Sequence, residues 1–184
     1  MVGRGASATT VQAPLAAVEL GKSLVITGTV RDLSAGATQP EQATRFANGL
    51  PLSSDESMTN WMAYVYQQKP LPSNFKGVDV TLDVLDANNN FRNIGTVTTD
   101  ATGFFSYQWK PDIEGKYIVV ARFLGTNGYW PSHAEASFAV DPAAVVTPPE
   151  KQPQPADYTL PIVGMGIAVI LAVAVVGALI LRKH

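Results

Sequence analysis

Twenty-two consecutive residues near one end of this chain, Leu160 to Leu181, carry no charge: LPIVGMGIAVILAVAVVGALIL. At about 1.5 Å rise per residue they make a helix of roughly 33 Å, long enough to cross a hydrocarbon core of about 30 Å. A helix satisfies its own backbone hydrogen bonds in lipid. The run is apolar on every side, without the polar stripe that a surface helix of a soluble domain would show. Arg182, Lys183 and His184 follow it. Basic residues favour the cytoplasmic side. The expectation is therefore a single-pass span bounded by Leu160 and Leu181, with Arg182 and Lys183 in a cytoplasmic tail at 182–184. Everything before Leu160 then lies outside, and the lipid bilayer is the first partner implied.

The rest of the 184-residue chain has room for about one domain. The formal net charge is −2, and the part before Leu160 carries −4. A mildly acidic exterior argues against nucleic acid as a partner, which calls for a basic patch. The chain contains no cysteine, which removes disulfides, thiolate catalysis and Cys-based metal sites together. Met1 to Thr10 lacks the apolar stretch of a secretory signal. Two export routes stay open: the apolar run directs its own insertion, or the chain is the end of a longer exported protein. Whether Met1 is the native start is open with them.

Short strands account for most of the domain. Thr9 to Gln12 and Leu15 to Leu20 are weak β segments. Ser23 to Val30 alternates, with Leu24, Ile26 and Val30 on one face and Thr27 and Thr29 on the other. Gly28 interrupts the inward face, as if another segment packs closely there. Val78 to Leu85 alternates Val78, Val80, Leu82 and Val84 with Asp79, Thr81 and Asp83. An Asp86–Asn90 turn leads to Phe91–Thr98, and an Asp100–Gly103 turn to Phe104–Trp109. The run from Tyr117 and the segment Ala134–Val140 complete the set. Seven or so short strands without helical crossovers predict an antiparallel β-sandwich over 9–140.

Residues 31–76 read as an insertion. Gly, Ser, Pro and charged residues dominate apart from one island, where Ser53 and Glu56 have capping-box spacing. Met58, Trp61, Met62 and Val65 then fall on one helical face, and Pro70 stops the pattern. A helix over about 54–68 is expected, packed on its own domain. Residues 141–159 carry Pro142, Pro148, Pro149, Pro153 and Pro155 and read as an extended stalk.

Chemical motifs are scarce. His133 and His184 are the only imidazoles, too few for a copper or zinc centre. Asp86, Asn88 and Asn90 begin like a calcium loop, but Phe91 and Val97 stand where Gly and Glu belong. A polar hairpin turn is the plainer reading, with weak calcium binding near Asp86 as its rival. Asp79 and Asp83 share one strand face and read as solvated carboxylates rather than an acid–base pair. No nucleophile elbow, P-loop or dinucleotide fingerprint occurs. The expectation is no cofactor, no metal and no enzymatic activity. The candidate interaction residues are aromatic: Trp61 and Tyr64 on the inserted helix, and Tyr129 and Trp130 in the loop before the last strand. For Tyr129 and Trp130, plugging one end of the sandwich is the competing role. Alanine spacings at Ala168, Ala172, Ala174 and Ala178 permit close helix approach but leave oligomeric state undetermined.

Gly95-Thr96, Asp100, Gly103, Phe105, Trp109-Lys110-Pro111, Gly115-Lys116-Tyr117, Phe123, Gly125 and Tyr129 give Val78 to Val140 a pattern that resembles bacterial and archaeal Ig-like repeats of surface proteins. The wider layout resembles the C-terminal region of archaeal membrane-anchored PQQ-binding-like β-propeller repeat proteins. That likeness rests on Ser7 to Val11, the Trp61-Met62 helix ending in Gln68-Lys69-Pro70, the Pro-rich stalk, and Gly164 to Arg182. It implies placement at the cell surface, with any propeller lying upstream. It carries over no quinone binding, because no residues for that stand in this chain. The combined expectation is an Ig-like antiparallel β-sandwich with one inserted helix and a C-terminal transmembrane helix. Its role would be structural, spacing or adhesive. The alternatives are an interaction subunit of a membrane complex, contacting other surface or membrane proteins, or a fragment of a larger propeller protein.

Overall fold

The computed structural model describes residues 3–144 and 159–182. These form two units, one ending at Ala144 and one beginning at Val145. In chain order the first contains β1 (Ser7–Gln12), β2 (Val18–Glu19), β3 (Leu24–Asp32), α1 (Pro40–Arg45), α2 (Met58–Gln67), β4 (Asp79–Leu85), β5 (Phe91–Thr98), β6 (Phe104–Trp109), β7 (Gly115–Phe123) and β8 (Ser132–Asp141). The strands build a three-stranded sheet, β1-β3-β6, and a five-stranded sheet, β2-β8-β7-β4-β5. All pairings are antiparallel except β2 with β8, where Val18 lies opposite Val140. The fold is mainly β, a sandwich with a C-terminal apolar helix.

Alternation along the strands makes the core. Ile26 and Val30 of β3 and Phe105 of β6 meet Val80, Leu82 and Val84 of β4 and Tyr117 and Val119 of β7. Gly28 also points inward, because a Cβ there would collide with the Thr10 carbonyl oxygen and the Phe105 ring. The missing side chain makes room for that ring, so the gap in the inward face is filled from β6.

One reading of the strand faces is corrected. Asp79 is exposed, but Asp83 is only 2% exposed. The β4–β5 register slips between Leu82 and Asp83, so that Leu82 faces Gly95 and Asp83 faces Asn93. Arg122 on β7 lies across the carboxylate, with Nε 2.8 Å and Nη2 2.6 Å from Asp83 Oδ2. Asn93 Nδ2 donates to Oδ1 at 3.2 Å. The two aspartates therefore differ in solvation, and Asp83 is spent in an ion pair with a partly exposed arginine.

Within 31–76 the helix pattern holds and the cap does not. α2 begins at Met58, with Ser57 at its N-cap position and no side-chain cap bond. Ser53 Oγ turns inward to Ser57 Oγ at 2.7 Å, and Ser57 Oγ bonds the Lys76 backbone on both its N–H (3.1 Å) and its carbonyl (3.0 Å). Tertiary attachment to the segment entering β4 displaces the local capping box. At the other end Gln68 adopts φ 55°, a left-handed residue that closes the helix before Pro70. α1 is an addition to the sequence reading: six residues with Pro40 at the first turn are too few to show a hydrophobic period.

The second unit contains α3 (Thr159–Leu181), 23 residues with Arg182 in the turn after it. Pro161 falls in its first turn, where a missing N–H costs little. Ile162–Leu181 has a mean hydropathy of 2.8, and none of its most apolar window is buried. It is long and apolar enough to cross a membrane. Lys183 and residues 145–158, most of the stalk, lie outside the described residues.

Candidate functional site

The four aromatic candidates meet different fates. Trp61 is 1% exposed. Its ring sits 4.7 Å from Phe75, 5.3 Å from Tyr64 and 6.1 Å from Phe46, centroid to centroid. With Leu50, Val65 and Ala37 these rings make a small second core beside the sandwich. Trp61 is thus a packing residue in the folded chain and presents no surface. Tyr64 is half-buried at the edge of this cluster, with the Arg45 guanidinium 5.1 Å from its ring. Arg45 also donates to the Val65 carbonyl at 2.6 Å and the Tyr64 carbonyl at 3.2 Å, tying α1 to the last turn of α2. That is a favourable place for a cation, because unpaired carbonyls end a helix there.

Tyr129 and Trp130 separate. Tyr129 is 3% exposed and belongs to the main core. Its hydroxyl donates to Asp32 Oδ2 at 3.1 Å, while Asp32 Oδ1 accepts from the Ser34 N–H at 2.7 Å. Burial, and then the charge of Asp32, push the Tyr129 phenol far above its ordinary range, so it stays a neutral donor at any physiological pH. Tyr129 closes one end of the sandwich. Trp130 is 55% exposed, with the Arg4 guanidinium 5.2 Å from its ring centre. Of the four candidates it is the exposed one.

The carboxylates go to structure. Asp86 Oδ1 accepts the Asn88 and Asn90 N–H groups, each at 2.9 Å, and Asn89 takes φ 62°. These bonds, the Asn90 N–H first, hold the Asp86 carboxyl below its ordinary range. The D-x-N-x-N stretch is a self-bonded turn. Asp100 repeats the device: Oδ1 accepts from the Thr102 N–H at 2.7 Å, the Thr102 hydroxyl at 2.6 Å and the Phe104 N–H at 3.1 Å. Desolvation pushes its pKa up, and these bonds with Arg31 outweigh it, so the net shift is downward. His133 is exposed on β8, opposite Arg122. Among the described residues, no three or more His, Cys, Asp or Glu side chains group as metal ligands would.

Three clefts of the first unit stand out among the described residues. One, of 290 Å³, lies between Ser54–Glu56, Lys76–Asp79 with Thr81, and Phe123–Thr126. Its acids are engaged: Asp55 accepts the Asn127 N–H at 3.1 Å, Glu56 pairs with Lys76 at 3.3 Å and Asp79 accepts the Thr98 hydroxyl at 2.6 Å. Another, of 380 Å³, lies under Met58, Met62 and Tyr66 beside Asp32 and Tyr129. A third, of 400 Å³, lies between α1 and the end of α2, lined by Glu41, Gln42, Arg45, Val65 and Tyr66 among others. The sequence reading missed Asp32, which holds Tyr129 in place. A single Asp at a strand end gives no signal of a partner 97 residues away.

No protein-family model matches the chain, and no curated protein matches it. Among solved structures it is similar to a Corynebacterium diphtheriae protein described as membrane anchored, at 18% identity and TM-score 0.42, over 82% of this chain and 24% of that one. The chain thus spans about a quarter of that protein's length. It is also similar to a CARDB domain from Pyrococcus furiosus, whose crystal structure is a complex with di-metal ions, at 14% identity and TM-score 0.39, over 78% and 99% of the two chains. The solution structure of that domain gives 13% and 0.38 over 76% and 97%. Likeness this distant carries no chemistry to the present chain.

Proposed function

We propose that this chain is a non-catalytic surface module, held outside a membrane by its C-terminal helix and serving to space or present what is joined to it. The observation that carries this reading is α3, whose apolar surface is unburied along Ile162–Leu181 and gains its stabilisation from lipid. Arg182 and Lys183 at its end favour a cytoplasmic C-terminus. In the β unit Asp83, Asp86 and Asp100 are committed to an ion pair and to turns, which suits a scaffold. The finer reading, an archaeal surface protein of the kind that carries a β-propeller upstream, rests on the sequence resemblance and is tested by the genomic sequence before Met1.

Deletion of 160–184 tests the anchor. The full chain is expected in the membrane pellet after an alkaline wash, and the shortened chain in the supernatant, folded. A shortened chain that stays with the membrane refutes the reading. Because the chain has no cysteine, a cysteine added after His184 reports orientation by its protection from an impermeant thiol reagent in intact cells.

A second reading, an interaction subunit of a membrane complex, is favoured by Trp130. An exposed indole beside a guanidinium is a common anchor at protein interfaces. Recovery of a stoichiometric partner in mild detergent, lost in Trp130→Ala, would support it. Recovery of the chain alone refutes it.

A further inference from the structure

We infer that the segment Gly5–Thr9 and the start of β8 form a shear clamp, so that the first unit resists tension applied along its chain ends more strongly than tension that peels β1 away. This rests on the reading of the chain as an anchored spacer, since such a module is loaded between its upstream end and its anchor.

The geometry is specific. Gly5 pairs with Tyr129 in a parallel bridge, its N–H donating to the Gly128 carbonyl at 2.8 Å and its carbonyl accepting the Trp130 N–H at 2.9 Å. Side chains extend the contact. Ser7 Oγ lies 2.7 Å from the Trp130 carbonyl oxygen, to which it donates, and 2.8 Å from Ser132 Oγ. Thr9 Oγ1 lies 2.7 Å from the same Ser132 Oγ. A hydroxyl knot thus joins β1 to β8 across the two sheets. The second contact of the N-terminal segment with β8 is also parallel: Val18 and Glu19 of β2 pair with Val140 and Asp141, and the Leu20 N–H donates to the Asp141 carbonyl at 2.8 Å.

Parallel pairing sets the direction of load. Force entering before Gly5 draws β1 toward its own start, and force leaving after Asp141 draws β8 toward its own end. The two segments run the same way, so the pulls slide them past each other. Sliding loads the Gly5, Ser7 and Thr9 bonds together, whereas separating Gly5 from Gly128 sideways loads them one after another. The hydroxyls add hydrogen bonds between the two sheets at this edge.

The experiment is single-molecule pulling of the full chain in detergent. The absence of native cysteine lets paired cysteines set the geometry: Gly3→Cys with Ala144→Cys for shear, and Gly3→Cys with Asn127→Cys for peeling. A Cβ at Gly3 meets nothing within 4 Å. The expected result is an unfolding force several-fold higher in shear than the first rupture in peeling. Ser132→Ala, which removes the Ser7 and Thr9 side-chain partner, should lower the shear force and leave the peeling force unchanged. If Ser132→Ala does not fold, Ser7→Ala takes its place, losing both Ser7 bonds. Equal forces in the two geometries, or a hydroxyl-deleted chain as strong in shear as the parent, overturn the clamp. Neither result touches the anchor, which the fractionation of the 160–184 deletion decides by itself.

Discussion

Replacing Arg122 by Met is the sharpest test of the Asp83–Arg122 ion pair. Met keeps most of the aliphatic length and removes both donors to Asp83 Oδ2, leaving the carboxylate one bond, from Asn93. The Asp83 side chain is 3% exposed and that of Arg122 is 42% exposed. Breaking a fully buried pair costs about 3–5 kcal/mol, because an uncompensated charge is left inside. Here one partner is nearly half in water, so solvent reaches the vacated space and the cost falls to about 2 kcal/mol. For a domain of this size that is a drop in Tm of roughly 4–8 °C. Thermal unfolding of the full chain in detergent, followed by near-UV circular dichroism, measures it. The companion variant Arg122→Met with Asp83→Leu removes the stranded charge and should recover most of the loss, since a buried pair exchanged for apolar side chains is often neutral. A single variant within about 0.5 kcal/mol of the parent, the range of ordinary surface changes, would refute the argument. So would a double variant less stable than the single.

Gly28→Ala should destabilise by about 2–3 kcal/mol, because its Cβ meets the Thr10 carbonyl oxygen on β1 as well as the Phe105 ring, and overpacking against backbone is not easily relieved; urea unfolding reads this directly. Tyr129→Phe leaves Asp32 Oδ2 without its hydroxyl donor in a buried site and should cost about 1–3 kcal/mol by the same measurement. Acid should weaken the domain through Asp86, Asp100 and Asp112, whose carboxyls all lie below their ordinary range in the folded chain, Asp112 chiefly through Arg92. A depressed folded pKa gives stability that is present above the unfolded value, about 3.9, and is lost as pH falls through the folded value. The urea midpoint should therefore decline below about pH 4, and less steeply in Asp100→Asn.

What was legible in the sequence was what repeats locally. β4, β7 and α3 could be read because period two, or an unbroken apolar run, is a property of neighbouring residues. The face of α2 was legible for the same reason: Trp61 and Val65 are buried in the second cluster, and Met58 and Met62 lean on the main core. What failed depended on partners far along the chain. Ser53 and Glu56 have the spacing of a cap, but Ser53 bonds Ser57, which is held by Lys76. Asp83 alternates with valines like a solvated residue, yet Arg122, 39 positions away, covers it. α1 was invisible because six residues hold less than two turns of pattern.

The adjacent pair Tyr129 and Trp130 shows how that limit bears on function. As sequence the two are equivalent aromatic residues in a loop. In the structure the segment is extended against Gly5, and successive side chains of an extended segment point to opposite sides. One ring must therefore enter the sandwich end and the other must leave it. The register against Gly5 turns Tyr129 inward, and there its hydroxyl donates to the buried Asp32 carboxylate. Trp130 is exposed as a consequence of register and not because its residue type favours the surface. An exposed indole of that origin is an incidental platform on which a recognition role can be built. For that reason the effect of Trp130→Ala on partner recovery, and not the presence of the aromatic pair, decides between a spacer and an interaction subunit.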